Sequence, residues 1–213
     1  MEYIIVKSKR KSIGITVKSN EVIVRAPHYL SDKEINLALK GHQSWINKKV
    51  LEQKEKNSIS NNYFGNGMFL FKGYDYEVLK IEGRKIALDG KYIYIGENTN
   101  MDNFLKKEMS KIVEELKLKW SHINTPTSIT YRKQKTIWGS CTIKGKININ
   151  INLVKAPVEV IEYIYIHELV HIEIRNHSKT FWLRVEYLLP NYRKSKKWLK
   201  DNGHLIGRDF MIK

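Results

Sequence analysis

The sequence predicts an α+β fold, β-rich over its first hundred residues and helix-dominated behind them. Three observations carry this. Short apolar runs bounded by turn residues, at 13–18, 22–26, 74–81 and 91–95, fill the front half. Behind Asp102 the apolar residues Leu105, Met109, Ile112, Val113, Leu116 and Trp120 recur at the 3.6-residue helical period. The chain has 213 residues, 42% hydrophobic and 28% charged, which is enough to bury a core and too apolar for wholesale disorder. The expected division is a β-rich part over 1–100 with one capped helix, then a helical part with a small sheet over 101–213.

The elements follow in order. Residues 13–18 and 22–26 pair about a Ser19-Asn20 turn, and Pro27 ends the second strand. Ser31 is placed as a helix N-cap, with Glu34 as its capping-box partner and Leu30 and Ile35 as a hydrophobic staple. Ile35, Leu39, Trp45 and Ile46 continue that helix's apolar face, which fades in the charged stretch 52–56. Residues 57–62 (Asn-Ser-Ile-Ser-Asn-Asn) read as a linker. Strands are expected at 69–71, 74–81, 86–88 and 91–95, with Asp89-Gly90 as a hairpin turn. After the long helix from Asp102, Tyr131 and 147–152 fall on strands. Pro157 opens a helix running to about Arg175, because the first turn does not need its missing N–H. Val158, Ile161, Ile164, Ile166, Leu169 and Val170 mark that helix as buried. Ser178 caps the next, which Pro190 interrupts.

Charge is the unusual property. Lys and Arg total 38 against 22 acids, giving +16 and a field that attracts polyanions. The excess is mostly lysine and is spread along the chain, unlike a polybasic arm or an Arg-rich reader of base edges. Binding of nucleic acid or a phosphorylated small molecule is therefore an expectation about the surface as a whole. No run approaches a membrane span, and the first residues turn polar too soon for a signal-peptide core. One cysteine, Cys141, excludes an intrachain disulfide framework and a thiolate zinc cluster, so a cytoplasmic location is expected.

Three of the seven histidines fall within eleven residues, from His167 to His177. On a helix His167 and His171 share one face and can grip one metal ion. Glu168 is displaced around the axis, poorly directed as a ligand but close enough to take a proton from an activated water. Two or three neutral imidazoles with an open position suit catalytic Zn2+. Two residues compete as third ligand. Asn176 tolerates the left-handed conformation that ends a helix, so a turn there swings His177 back toward the metal. Glu186 would have to arrive from the following helix. Reach favours His177, although Ile174 stands where the metzincin pattern has glycine.

Trp138-Gly139-Ser140-Cys141, the Asn-Ile alternation, Leu153-Val154-Lys155-Ala156-Pro157, the His167–His171 motif and Asn176-His177-Ser178 through Phe181-Trp182 together resemble the YgjP-like metallopeptidases. Val24-Arg25-Ala26-Pro27 and Trp45-Ile46-Asn47-Lys48-Lys49 extend the resemblance over most of the chain. It implies a zincin-like catalytic core related to SprT and WLM proteases. His167, His171 and His177 would be its zinc ligands and Glu168 its general base. The implied activity is a zinc-dependent peptidase acting on peptides or proteins. Two rivals share the observations: a metal-dependent nucleotide phosphohydrolase, which the charge would suit, and a nucleic-acid-associated protease.

Further residues carry lesser expectations. If 147–152 were an edge strand, Asn148 and Asn150 would lie along an extended peptide added to the sheet. Arg132, with Tyr131, is placed as an oxyanion partner. Cys141 reads as a small packed thiol and His204 as a surface residue.

Overall fold

The structure, a computed structural model, describes residues 3–18 and 21–207. It is α+β, and it divides into two compact units, Met1–Asn62 and Tyr63–Lys213. The sequence reading places the division at 100/101. The strands between 68 and 96 instead share one core with the helices that follow them.

In the first unit, β1 (Tyr3–Ser8), β2 (Gly14–Lys18) and β3 (Glu21–Pro27) form a sheet in the order β1-β3-β2. The β2–β3 pairing is antiparallel as expected; the Ser19-Asn20 turn lies outside the described residues. β1, parallel to β3, has no counterpart in the sequence reading. Helix α1 (Asp32–Gly41) starts with the expected capping box. Glu34 N–H donates to Ser31 Oγ at 3.3 Å and Ser31 N–H to Glu34 Oε2 at 2.7 Å. The Ser31 hydroxyl also donates to Oε2, at 2.7 Å, and the two bonds to the carboxylate, from Ser31 Oγ and Ser31 N–H, hold Glu34 below the usual carboxylate range.

The helix does not run on as one rod. It breaks at Gly41-His42, and α2 (Gln43–Gly65) continues through 57–62, which is helical and not a linker. Side-chain pairs one turn apart hold this polar helix: Gln43–Asn47, Lys49–Glu52 and Gln53–Asn57. Ile35, Leu39 and Ile46 are buried with Val22, Val24 and Ala26, and Leu30 packs on them. Trp45, expected on the apolar face, is exposed.

The second unit begins with β4 (Met68–Phe71), β5 (Tyr74–Ile81), β6 (Ile86–Asp89) and β7 (Tyr92–Gly96), ordered β4-β5-β7-β6. In the β6–β7 hairpin Asp89 pairs with Tyr92, so Gly90 is the first of two linking residues. Its φ of +54° is the conformation that position demands. The β4–β5 hairpin has a two-residue link of the same length, in which Lys72 and Gly73 both have positive φ, +51° and +85°. Their N–H groups donate to the carbonyls of Val154 and Lys155 at 2.9 and 3.0 Å. This docks the hairpin on a short 3-10 helix, Ile151–Lys155.

Helix α3 (Met101–Lys119), capped by Asn100, buries Leu105, Met109, Ile112, Val113 and Leu116 of the predicted stripe, while Trp120, its last predicted member, is the half-buried C-cap. A second sheet, β8 (Ser128–Arg132), β9 (Gly139–Cys141) and β10 (Lys146–Asn150), has the order β8-β10-β9. The strand at 147–152 is therefore central, not an edge. It stops at Asn150 because that side chain accepts from Asn152 N–H at 3.1 Å and turns the chain into the 3-10 helix.

Helix α4 (Val158–Glu173) is apolar on almost every side and buried accordingly, though Val158 is exposed. Pro157 is its N-cap rather than its first helical residue. At the other end of α3, Trp120 Nε1 donates to Glu162 at 2.6 Å and Lys119 pairs with the same carboxylate at 2.7 Å. α5 (Lys179–Leu188) and α6 (Tyr192–Ile206) follow, parted by Pro190 as expected, and both pack on α4. Buried Lys155 donates to Ile206 O at 3.2 Å, satisfying a carbonyl at the end of α6.

The Gly73 turn abuts the start of α4. A Cβ on Gly73 would stand 2.8 Å from Pro157 Cγ, besides being strained at positive φ. Gly67, at φ +70°, has nothing within 4 Å of that position. Gly73→Ala is therefore expected to lower unfolding free energy by about 2–4 kcal/mol, and Gly67→Ala by about 1 kcal/mol from conformational strain alone. Urea titrations of the two variants check the difference.

Candidate metal centre

α4 supplies the first two imidazoles. His167 and His171 are one turn apart on the same face, with ring centroids 4.9 Å apart. The helix then ends at Glu173. Ile174 is extended (φ −121°, ψ 104°), and its carbonyl meets His171 Nδ1 at 3.0 Å. With the proton on Nδ1, that contact leaves the Nε2 lone pair free and fixes the plane of the ring.

The reversal that brings in the third histidine is not made by a left-handed Asn176. Lys72 is the one non-glycine residue with positive φ among those described. Instead Asn176 Oδ1 accepts from Ser178 N–H at 3.3 Å, so the side chain makes the turn. Arg175 secures it by donating to the carbonyls of Thr142 and Ile143 at 2.8 and 2.9 Å. Ser178 then caps α5 by accepting from Phe181 N–H at 3.4 Å.

His177 is thereby carried back to the pair. Its Nε2 lies 3.0 Å from His167 Nε2 and 3.1 Å from His171 Nε2. One ring hydrogen cannot serve both contacts. A cation among the three lone pairs satisfies all of them, and a set of three imidazole nitrogens suits a divalent transition metal. The donor set fits the group. Burial, reinforced by His171, His177 and the nearby Lys196 ammonium, pushes His167 down to about 3. Burial also lowers His171, against the opposing pull of the Ile174 carbonyl. Both rings are held neutral, the form in which imidazole binds metal.

Glu168 is buried, and burial alone raises its carboxyl to about 8. A cation held by the adjacent histidines would oppose that shift. The space for this side chain comes from β9: a Cβ on Gly139 would lie 2.6 Å from Glu168 Oε1. Trp138 packs against Gly203 of α6 and against Gly207, the C-cap of that helix, and anchors the strand on the neighbouring side.

The chain belongs to the YgjP-like family. The description of that family is "YgjP-like, metallopeptidase domain", and it matches residues 11–202. Among solved structures, the metallopeptidase zymogen abylysin of Pyrococcus abyssi is similar at TM-score 0.37 and 23% identity. That match covers 44% of this chain and 93% of the other. None of the curated proteins gives a significant match.

In this YgjP-like metallopeptidase the other anticipated residues lie apart from the histidines. Glu186 is engaged by Arg193, with Nη2 3.2 Å from Oε2. Asn150 is buried and donates to the carbonyls of Gln134 and Ile137 at 2.8 and 2.9 Å. Asn148 bonds to Gln134 and Thr130. With β10 in the middle of its sheet, strand addition along these asparagines is excluded, because both neighbouring positions are taken. Arg132 is exposed on β8, the opposite edge of the sheet from Gly139, and Tyr131 is half-buried beside it. Cys141 is half-buried on β9; burial pushes its thiol up, and Arg175, 3.7 Å away, opposes this. No helix among the described residues is long and apolar enough to cross a membrane.

Sequence reasoning missed three residues that shape the site. Phe181, fully buried, lies 4.5–4.9 Å from all three imidazole rings. Trp182 stacks on His177 at 5.7 Å and 22°. Gly139 is the third. The signal for the aromatics is their place in the first turn of the helix capped just after His177.

Because Glu168 occupies the volume that a Cβ at 139 would fill, Gly139→Ala should destabilise by about 1–3 kcal/mol. The loss should be largely relieved in Gly139→Ala/Glu168→Ala. A double-mutant cycle from denaturant titrations measures that coupling.

Proposed function

We propose that this metallopeptidase domain is a zinc-dependent peptidase with His167, His171 and His177 as ligands and Glu168 as general base. The observation that carries the reading is the convergence of three imidazole nitrogens beside a buried glutamate. When bound, zinc supplies Lewis-acid polarisation of a peptide carbonyl and acidification of water. Glu168 takes a proton from the attacking water and returns it to the leaving amine. Its burial strengthens the carboxylate as a base, and a cation held by the histidines would keep it ionised to act as one. Phe181 and Trp182 keep the imidazoles in place and exclude water behind them. A cytoplasmic location accompanies this reading on the compositional argument above. The nucleotide and nucleic-acid alternatives rest on the net charge of +16.

Glu168→Gln is expected to retain near-stoichiometric zinc by elemental analysis while hydrolysis of a peptide substrate falls about a hundredfold or more. Loss of zinc in this variant would make Glu168 a ligand instead.

His177→Ala should lose zinc to a chelator far more readily than Glu186→Ala, with zinc content followed during dialysis. The opposite order would assign the third position to the glutamate.

A further inference from the structure

We propose that Lys196 is a substrate-binding residue that recognises a carboxylate on the peptide. The inference rests on the peptidase reading above and goes beyond it to the class of substrate.

On α6, Tyr192 and Lys196 are one turn apart and face α5 together. Trp182 stacks on Tyr192 at 5.7 Å and 19°, and on His177 at 5.7 Å and 22°. The Lys196 ammonium lies 4.0 Å from the centre of the same indole. One aromatic ring therefore separates a lysine from a metal-binding histidine. The indole covers one side of the ammonium and leaves the exposed side able to donate to a ligand.

Lys196 differs from Arg193 and Lys197 in how its charge is used. Arg193 is engaged by Glu186, and Lys197 by Asp201. Among the described residues Lys196 has no carboxylate partner, and it is exposed at the rim of the site. Glu168 is buried and assigned to proton transfer. A peptide laid across the three histidines passes within reach of this ammonium. A single cation held on a rigid aromatic face matches a singly charged group. A triphosphate would call for several cations, and Arg193 and Lys197 are already neutralised.

Two peptide carboxylates share that chemistry, an Asp or Glu side chain and the C-terminus, and substrate design separates them. Zinc-loaded full-length protein would be assayed with internally quenched peptides carrying Asp, or Asn, at each position in turn, all with amidated C-termini. A neutral peptide would be compared as free acid and as amide. The expected result is a preference of about fivefold or more in kcat/KM for Asp over Asn at one position, or for free acid over amide, weakening with salt. In Lys196→Met that ratio should fall to about one, and in Lys196→Glu it should invert, with zinc content unchanged in both. Lys196→Arg should keep the preference.

Binding supplies an independent readout. Anisotropy of labelled Asp and Asn peptides on zinc-loaded Glu168→Gln should show the same discrimination and its loss on adding Lys196→Met. Equal wild-type rates and affinities for charged and neutral peptides would overturn the proposal while leaving the peptidase reading intact. So would a preference that survives Lys196→Met, or binding that discriminates nucleoside triphosphates alone. Failure of the wild type to cleave any peptide would instead sink the peptidase reading, and the anisotropy arm would still decide the role of Lys196.

Discussion

Lone pairs repel, and a fold that brings two imidazole nitrogens within 3.0–3.1 Å of a third must hold the rings from outside. Here each ring is held differently. His167 sits in the buried helix α4, wedged against Phe181. His171 is aligned by a carbonyl that is free because the helix ends before Ile174. His177 is delivered by a turn whose every bond comes from its neighbours' side chains. The apolar bulk of α4 makes this feasible. A helix buried on nearly all sides cannot rotate to part its histidines without exposing leucine and isoleucine to water.

Two missing Cβ atoms have comparable effects at opposite ends of that helix. Gly73 lets the β4–β5 hairpin press against Pro157, where α4 begins, and Gly139 leaves room for Glu168 near its far end. Each is a close approach between a sheet element and α4, so the helix is positioned along its length as well as buried across its width. Lys155 adds a third constraint by tying the 3-10 helix ahead of Pro157 to the end of α6.

Much of this is legible in the sequence, for reasons that are local. The Ser31–Glu34 box, the α3 stripe and the helical histidine pair all depend on spacing within one or two turns, which sequence displays directly. What the sequence conceals depends on tertiary context. The helix persists through 57–62, where Gln53 pairs with Asn57 and Ser60 Oγ donates to Lys56 O, in a stretch whose composition suggests a linker. β1 is a strand because a parallel partner exists further along the chain, and no local pattern announces that. The place of β10 in the middle of its sheet, and with it the fate of Asn148 and Asn150, is set by strand order, which alternation cannot reveal. At the site, the approach of the third histidine follows from reach, but the mechanism of the turn does not. Asn176 acts through its side chain rather than through its backbone.

The segment from Ile174 to Ser178 gives each of its five residues a separate role. In order these are a carbonyl for His171, a clamp on the β9–β10 loop, a side-chain turn, a nitrogen for the cluster and a cap for α5. None is spare. An inserted or deleted residue would put every later contact out of register, so this stretch can drift in evolution only by substitution, never by change of length. Its clamp also makes Arg175 a mechanical link. Through it the loop that follows the Gly139 strand is tied by two hydrogen bonds to the chain that carries His177.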